Sequence, residues 1–102
     1  MDLEREVATG ALLVDIRPIE QRDRDGELPG ALVIDRNVLE WRLAPSSGAK
    51  VVDIAENQKV IVVCNQGFQS TLAAANLREL GVDGATDLIG GYEAWNAGPA
   101  GE

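Results

Sequence analysis

The chain has 102 residues, of which 45 % are hydrophobic and 25 % are charged, a composition typical of one folded domain and too apolar for a disordered segment. Its 17 acidic and 9 basic side chains give a formal net charge of -8, which disfavours phosphate backbones and anionic lipid surfaces as partners. We therefore predict a single domain over residues 1–102 that binds neither nucleic acid nor a membrane.

The residue types that are rare or absent narrow the chemistry. The chain has one cysteine and no histidine, so it can form no internal disulfide and no usual zinc site, and nucleophiles that depend on an imidazole are excluded. No run approaches the ~18 apolar residues of a membrane span, and the acidic start of the chain does not fit a signal peptide. We expect a cytoplasmic, monomeric protein that uses no metal and no cofactor.

Four short apolar runs, rich in β-branched residues, predict strands that alternate with helical patterns. In chain order the predicted strands are Leu12–Ile16, Ala31–Ile34, Val60–Val63 and Ala85–Ile89, and the predicted helices are Ile19–Arg24, Arg36–Leu43, Ser70–Leu80 and Tyr92–Ala97. Nearly continuous apolar runs are typical of parallel strands that are covered on both faces. The pattern predicts an α/β fold with a core over about residues 12–97 and a flexible tail at 98–102.

Other residues are assigned structural roles. Trp41 and Trp95, at helical spacing, are predicted to fill the core. Asp15 and Arg17 lie at the end of the first strand, where an ion pair that ties loops together is favoured over contact with a ligand. We do not assign a catalytic role to either of them.

The segment after the third strand carries the clearest chemical signal. Cys64 is the first residue past that strand, and the carboxyl ends of parallel strands face the ligand crevice. Gly67 allows the backbone to turn successive N–H groups inward, and Ser70 or Thr71 can cap the following helix. Such a loop stabilises a thiolate over a thiol. The alternative is that Cys64 is a small apolar residue that closes a strand, and the loop chemistry alone leaves both open.

Four blocks of the sequence together resemble the rhodanese-like domain family in order and spacing. They are Leu13–Arg17, Gly26–Ala31, Cys64–Ser70 and Gly90–Trp95. The resemblance implies a rhodanese-like α/β fold, with a parallel five-stranded sheet flanked by helices on both faces. It also implies that Cys64 is the catalytic nucleophile and that the loop binds the substrate through Asn65, Gln66, Gly67, Phe68, Gln69 and Ser70.

The activity implied by the resemblance is that of a single-domain sulfurtransferase working by double displacement. Cys64 would take sulfur from a small donor such as thiosulfate, hold it as a persulfide, and pass it to a thiol or cyanide acceptor. Both leaving groups are stabilised anions, so the lack of histidine does no damage. A Cys-x5-Arg phosphatase would carry arginine where this chain has Ser70, so phosphoryl transfer lacks its main charged group.

One position departs from the family pattern. The usual loop, Cys-x-x-Gly-x-Arg, has arginine where this chain has Gln69. A neutral hydrogen bond contributes about 0.5 to 1.5 kcal/mol, against roughly 1.5 to 3 kcal/mol for a charged one. A low-molecular-weight persulfide or a protein persulfide therefore becomes a better donor than thiosulfate, with Phe68 as an apolar rim. Arg36 or Arg42 could reach the pocket mouth in place of the missing arginine.

A second class of function stays open at this point. The fold could be retained as a catalytically weak binding or redox-sensing module, in which Cys64 serves docking or redox signalling. Cys64 and Gly67 favour the enzyme, whereas Gln69 favours neither class.

Overall fold

The computed structural model describes residues 3–96, and its helices and strands alternate along the chain. In order they are α1 (Leu3–Ala8), β1 (Leu12–Asp15), α2 (Ile19–Asp25), β2 (Leu32–Val33), a 3-10 turn (Arg36–Val38), α3 (Leu39–Leu43), β3 (Val60–Val63), α4 (Phe68–Glu79), β4 (Ala85–Asp87) and α5 (Gly91–Asn96). The predicted tail at 98–102 and the last residue of the predicted fourth helix lie outside the described residues. None of the described helices combines the length and the hydropathy needed to cross a membrane.

The strands form one parallel sheet in the order β2-β1-β3-β4. The parallel α/β arrangement is confirmed, but the expectation of five strands is wrong for the part of the chain that the structure describes, which has four. The remaining β-branched pair, Val51 and Val52, lies in the loop after α3. There the N–H of Val51 donates to the carbonyl of Arg42 at 2.9 Å instead of pairing with a strand.

Helices cover both faces of the sheet, which explains why β3 is apolar at every position. All four residues of β3 are fully buried. Val60 and Val62 belong to a cluster that includes α3 and α4, whereas Ile61 and Val63 belong to a second cluster on the opposite face that includes α1 and α5. Successive strand residues point to opposite faces, so a strand between two helical layers buries all of its side chains.

Helix α4 begins earlier than the sequence pattern predicted, and neither hydroxyl residue caps it. Gly67 is the N-cap residue and has φ of 96°, which is the left-handed conformation that glycine adopts without steric cost. Ser70 and Thr71 therefore lie inside the helix, and their hydroxyls donate back to the Gly67 carbonyl at 3.3 and 2.8 Å. The predicted Ser70 or Thr71 cap is wrong because Gly67 turns the chain directly into the helix.

The two tryptophans differ in burial. Trp41 is 56 % exposed, so its predicted place in the core is wrong. Helix α3 is five residues long, and Leu39 and Leu43 occupy its buried positions, which leaves the Trp41 ring on the surface beside the Arg42 guanidinium. Trp95 is only partly buried and packs against the core rather than filling it, so its prediction holds in part, and its ring lies 5.4 Å from that of Tyr92.

Candidate active site

Cys64 lies at the carboxyl end of a central strand of the sheet. It follows β3, which is flanked by β1 and β4, and the chain leaves β1 towards β2 but leaves β3 towards β4. Connections in opposite directions open a crevice at the carboxyl ends of the two central strands. A pocket of about 320 Å³ occupies this crevice, with Cys64 in its wall, Gln21 from α2 on one side, and Phe68 and Gln69 from α4 on the other.

The sulfur of Cys64 is surrounded by hydrogen-bond donors. Cys64 is 5 % exposed, and its Sγ accepts from the backbone N–H of Gly67 at 3.0 Å and from that of Ser70 at 3.4 Å. The left-handed conformation at Gly67 bends the loop so that these groups converge on one atom. Two N–H dipoles at the start of a helix stabilise a negative charge on the sulfur.

Ser70 supports the sulfur from inside the protein. Its side chain is fully buried, and its Oγ lies 3.3 Å from the Cys64 Sγ and 3.3 Å from the Gly67 carbonyl oxygen. A hydroxyl has one proton, so it can accept from a thiol while donating to the carbonyl, or rotate to donate to a thiolate. The hydroxyl of Ser70 thus contacts the nucleophile itself, and substrate binding by Ser70 stays a prediction.

The loop also offers backbone donors to a bound ligand. Within residues 3–96, no acceptor is found for the N–H groups of Gln66, Phe68 and Gln69. The last two belong to the first turn of α4, whose N–H groups have no partner within the helix. They are available to an anionic sulfur or a sulfonate group bound in the pocket.

The start of α5 holds the loop from the other side. The N–H of Tyr92 donates to the Cys64 carbonyl at 2.8 Å, and the N–H of Glu93 donates to the Asn65 carbonyl at 3.0 Å. A Cβ at Gly91 would overlap the carbonyl oxygens of Cys64 and Asn65, and Gly91 has φ of 65°. The double glycine at the start of α5 thus shapes a turn and lets that turn approach the nucleophile's backbone.

Asp15 and Arg17 form the buried ion pair that the sequence favoured. Arg17 Nη2 lies 2.8 Å from Asp15 Oδ2, and both side chains are fully buried. The same nitrogen donates to the Gly26 carbonyl at 2.9 Å, and the guanidinium stacks 3.8 Å above the Tyr92 ring. The pair therefore joins β1, the end of α2 and α5 beneath the site.

The two arginines proposed for the pocket mouth do not reach it. Arg36 pairs with Glu40 through Nη1 and Oε1 at 2.6 Å, one turn along its own helical segment. Arg42 stacks above the Trp41 ring at 4.7 Å. Neither lines the Cys64 pocket, since Glu40 holds the one guanidinium and the Trp41 ring holds the other.

A second, more polar pocket of about 550 Å³ adjoins the first and shares Asn65 and Gln66 with it. Its charged side chains are Arg24 and Asp25 from α2 and Glu93 from α5. The hydrogen bond between Arg24 and Asp25 lowers the pKa of Asp25 and raises the pKa of Arg24, so both remain ionised near neutrality.

Sequence reasoning missed Gln21 and the charged side chains of this second pocket. The parallel sheet was the signal that could have indicated these residues, because α2 follows β1, and β1 ends at the same edge of the sheet as Cys64. Strand order decides which helices border the crevice, and the sequence did not show that order.

A family model described as the rhodanese-like domain matches residues 2–98. The chain belongs to the rhodanese-like family. Its curated relatives include the adenylyltransferase and sulfurtransferase MOCS3 of Arabidopsis thaliana, 37 % identical over 94 residues that cover 84 % of this chain and 20 % of the relative. Another is the adenylyltransferase and sulfurtransferase UBA4 of Lodderomyces elongisporus, 35 % identical over 91 residues, covering 82 % of this chain and 19 % of the relative. The rhodanese-like chain thus spans about a fifth of the length of these relatives.

Solved structures of similar fold include the human single-domain sulfurtransferase TSTD1. It is 27 % identical with a TM-score of 0.74, covering 97 % of this chain and 93 % of TSTD1. The protein RPA3614 of Rhodopseudomonas palustris, described as a possible tyrosine phosphatase, is 30 % identical with a TM-score of 0.83, covering 93 % of this chain and 72 % of that one. The family match and these structures agree on a rhodanese-like fold for this chain.

The close approach at Gly91 leads to a prediction about stability. We expect Gly91→Ala to lower the free energy of unfolding at least twice as much as Gly30→Ala. Both glycines have positive φ, so each alanine costs roughly 1 to 2 kcal/mol, but a Cβ at Gly30 meets nothing within 4 Å whereas one at Gly91 displaces the Cys64 loop. Urea unfolding of both variants measures the difference, and equal losses would contradict the close approach.

Proposed function

We propose that this rhodanese-like chain is a sulfurtransferase that carries sulfane sulfur on Cys64 as a persulfide. The observation that carries the proposal is the environment of the sulfur: Sγ accepts two backbone N–H groups, contacts a buried hydroxyl, and opens on a pocket. A nucleophile prepared in this way needs no histidine, which the chain lacks.

The first half-reaction loads the enzyme. The Cys64 thiolate attacks the outer sulfur of the donor, the new Sγ–S bond forms, and the bond between the two donor atoms breaks. The electron pair leaves with sulfite when thiosulfate is the donor, or with a thiolate when a persulfide is the donor. The N–H groups of Gln66, Phe68 and Gln69, for which residues 3–96 offer no acceptor, support the developing negative charge in the pocket.

The second half-reaction returns the free enzyme. An acceptor thiolate or cyanide attacks the outer sulfur of the Cys64 persulfide, and the electron pair of the broken S–S bond returns to Sγ. Ser70 and the N–H groups of Gly67 and Ser70 stabilise the leaving Cys64 thiolate. No proton has to be delivered to the leaving group, so the absence of a general acid is no obstacle.

The pocket wall favours a donor of low charge. The residues around Cys64 in the pocket are Gln21, Asn65, Gln66, Phe68 and Gln69, none of which is charged. A dianion such as thiosulfate would meet only neutral donors there, on a chain of net charge -8. We therefore propose a low-molecular-weight persulfide or a protein persulfide as the preferred donor. Phe68, which is 79 % exposed, supplies an apolar rim that a larger donor can contact.

The experiment that tests this proposal is cyanide-dependent turnover with two donors, thiosulfate and glutathione persulfide, measured as thiocyanate. We expect kcat/KM for the persulfide to exceed that for thiosulfate at least tenfold. Equal values for the two donors would contradict the donor preference. No turnover with either donor would favour the binding or redox-sensing function, which Gln69 in place of the family's arginine makes the second candidate.

Gln69 leads to a prediction about donor choice. We expect Gln69→Arg to raise kcat/KM for thiosulfate about five- to thirtyfold. A guanidinium group stabilises the bound dianion by roughly 1 to 2 kcal/mol more than a neutral amide does. The persulfide donor should gain much less. Asn57→Arg is the control, since it adds the same charge at an exposed position outside the pocket. An unchanged thiosulfate value in Gln69→Arg, or an equal gain in Asn57→Arg, would show that Gln69 does not face the donor.

A further inference from the structure

The polar pocket beside Cys64 has the features of a binding site for the acceptor. It adjoins the Cys64 pocket, because Asn65 and Gln66 line both pockets. Its volume of about 550 Å³ exceeds what thiosulfate or cyanide can fill. The space is therefore available to the body of an organic thiol.

The charged groups of this pocket are already partly paired, which leaves one carboxylate for a ligand. Arg24 donates to both oxygens of Asp25, at 3.0 and 2.8 Å, so these two neutralise each other. Glu93 has no ion-pair partner within residues 3–96, and its side chain accepts only from the Asn65 amide, at 3.3 Å. Glu93 also lies close enough to Arg24 to raise the pKa of that guanidinium, and it is the carboxylate of this pocket that belongs to no ion pair within residues 3–96.

Two hydrogen bonds also hold Glu93 close to the loop that carries Cys64. Its backbone N–H donates to the Asn65 carbonyl at 3.0 Å, and its carboxylate accepts from the Asn65 side chain. Asn65 is the residue next to Cys64 in the chain. The carboxylate is therefore held against the loop that carries the sulfur, in the pocket that adjoins that of Cys64.

We propose that Glu93 binds the ammonium group of an aminothiol acceptor while the acceptor's sulfur attacks the Cys64 persulfide. This inference rests on the proposed sulfur transfer and names its acceptor class. The acceptor thiol releases its proton to solvent, and its thiolate forms an S–S bond to the outer sulfur. The Sγ–S bond breaks with its electron pair on Cys64, and the acceptor leaves as an aminoalkyl persulfide. Sulfur is transferred with no net oxidation.

Two small thiols test the proposal because they differ at one group. Cysteamine carries an ammonium group where 2-mercaptoethanol carries a hydroxyl. We expect Glu93→Gln to lower the ratio of kcat/KM for cysteamine to that for 2-mercaptoethanol about fivefold, the effect of an exposed charge pair in a pocket. The loss should appear in KM and not in kcat, since the pair forms equally in the ground and transition states. The different intrinsic reactivities of the two thiols cancel when the ratio in the variant is compared with the ratio in the parent.

The matched control is Glu79→Gln, which removes the same charge at an exposed position near the end of α4. It should leave the ratio unchanged. An unchanged ratio in Glu93→Gln, or an equal fall in Glu79→Gln, would overturn the ammonium site while leaving the sulfurtransferase proposal intact. Failure of the parent enzyme to transfer sulfur to cyanide as well as to both thiols would overturn the two together.

Discussion

Replacing Cys64 by serine is expected to lower kcat/KM for sulfur transfer by at least a thousandfold. A serine hydroxyl is not ionised at neutral pH and cannot form a persulfide, so the double displacement loses its carrier. The variant keeps the loop intact, because the serine Oγ can accept from the same Gly67 and Ser70 N–H groups that now reach Sγ. The loss should therefore appear with every donor and every acceptor.

The stability of Cys64→Ser separates a catalytic from a structural role. The substitution lies at a strand end and changes one atom, so we expect the free energy of unfolding to fall by no more than about 1 to 2 kcal/mol. Retained turnover would contradict the proposed nucleophile. A large fall in the stability of Cys64→Ser, together with a parent protein that transfers no sulfur, would indicate that Cys64 only closes the strand.

The second large effect is expected at the buried ion pair beneath the site. Arg17→Met should lower the free energy of unfolding by about 3 to 5 kcal/mol, because it leaves the fully buried Asp15 without its guanidinium partner. The stack above Tyr92 and the bond to the Gly26 carbonyl are lost with it. This is a large fraction of the roughly 5 to 15 kcal/mol that stabilises a domain.

A second ion pair provides the comparison. Arg24 and Asp25 lie at the same distance of 2.8 Å, but the Arg24 side chain is 65 % exposed. Arg24→Met should therefore leave the melting temperature almost unchanged. The double variant Asp15→Leu with Arg17→Met should recover much of the loss, since it removes both buried charges. Equal effects of the two arginine substitutions in thermal unfolding would contradict the importance of burial.

The strands and most helices could be predicted because their signals are local. The predicted strand Val60–Val63 has the same bounds as the observed β3, because the run of β-branched residues begins and ends at these two positions. Edge strand β2, at two residues, is shorter than its predicted run, because an edge strand pairs on one side only. The fifth strand came from the family resemblance alone and no further run of the sequence supports it.

The site was predictable where one stretch of chain forms it. Cys64 and residues 65–70 are contiguous, so their spacing and Gly67 predict the turn around the sulfur. Contributions from distant segments were not accessible. Whether Arg36 or Gln21 borders the crevice depends on strand order. The contact of α5 with the Cys64 loop depends on the close approach of Gly91, which only the folded chain shows. Trp41 was misassigned because a five-residue helix has too few buried positions for its aromatic residue.

Intact-mass spectrometry of the purified protein tests the central proposal most directly. After incubation with glutathione persulfide and removal of the donor, the parent mass should rise by one sulfur atom, and cyanide should return it to the starting value. Peptide mapping should place the added sulfur on Cys64, and Cys64→Ser should show no increase. A parent mass that stays unchanged, or an added sulfur that cyanide fails to remove, would contradict a transferable persulfide on Cys64.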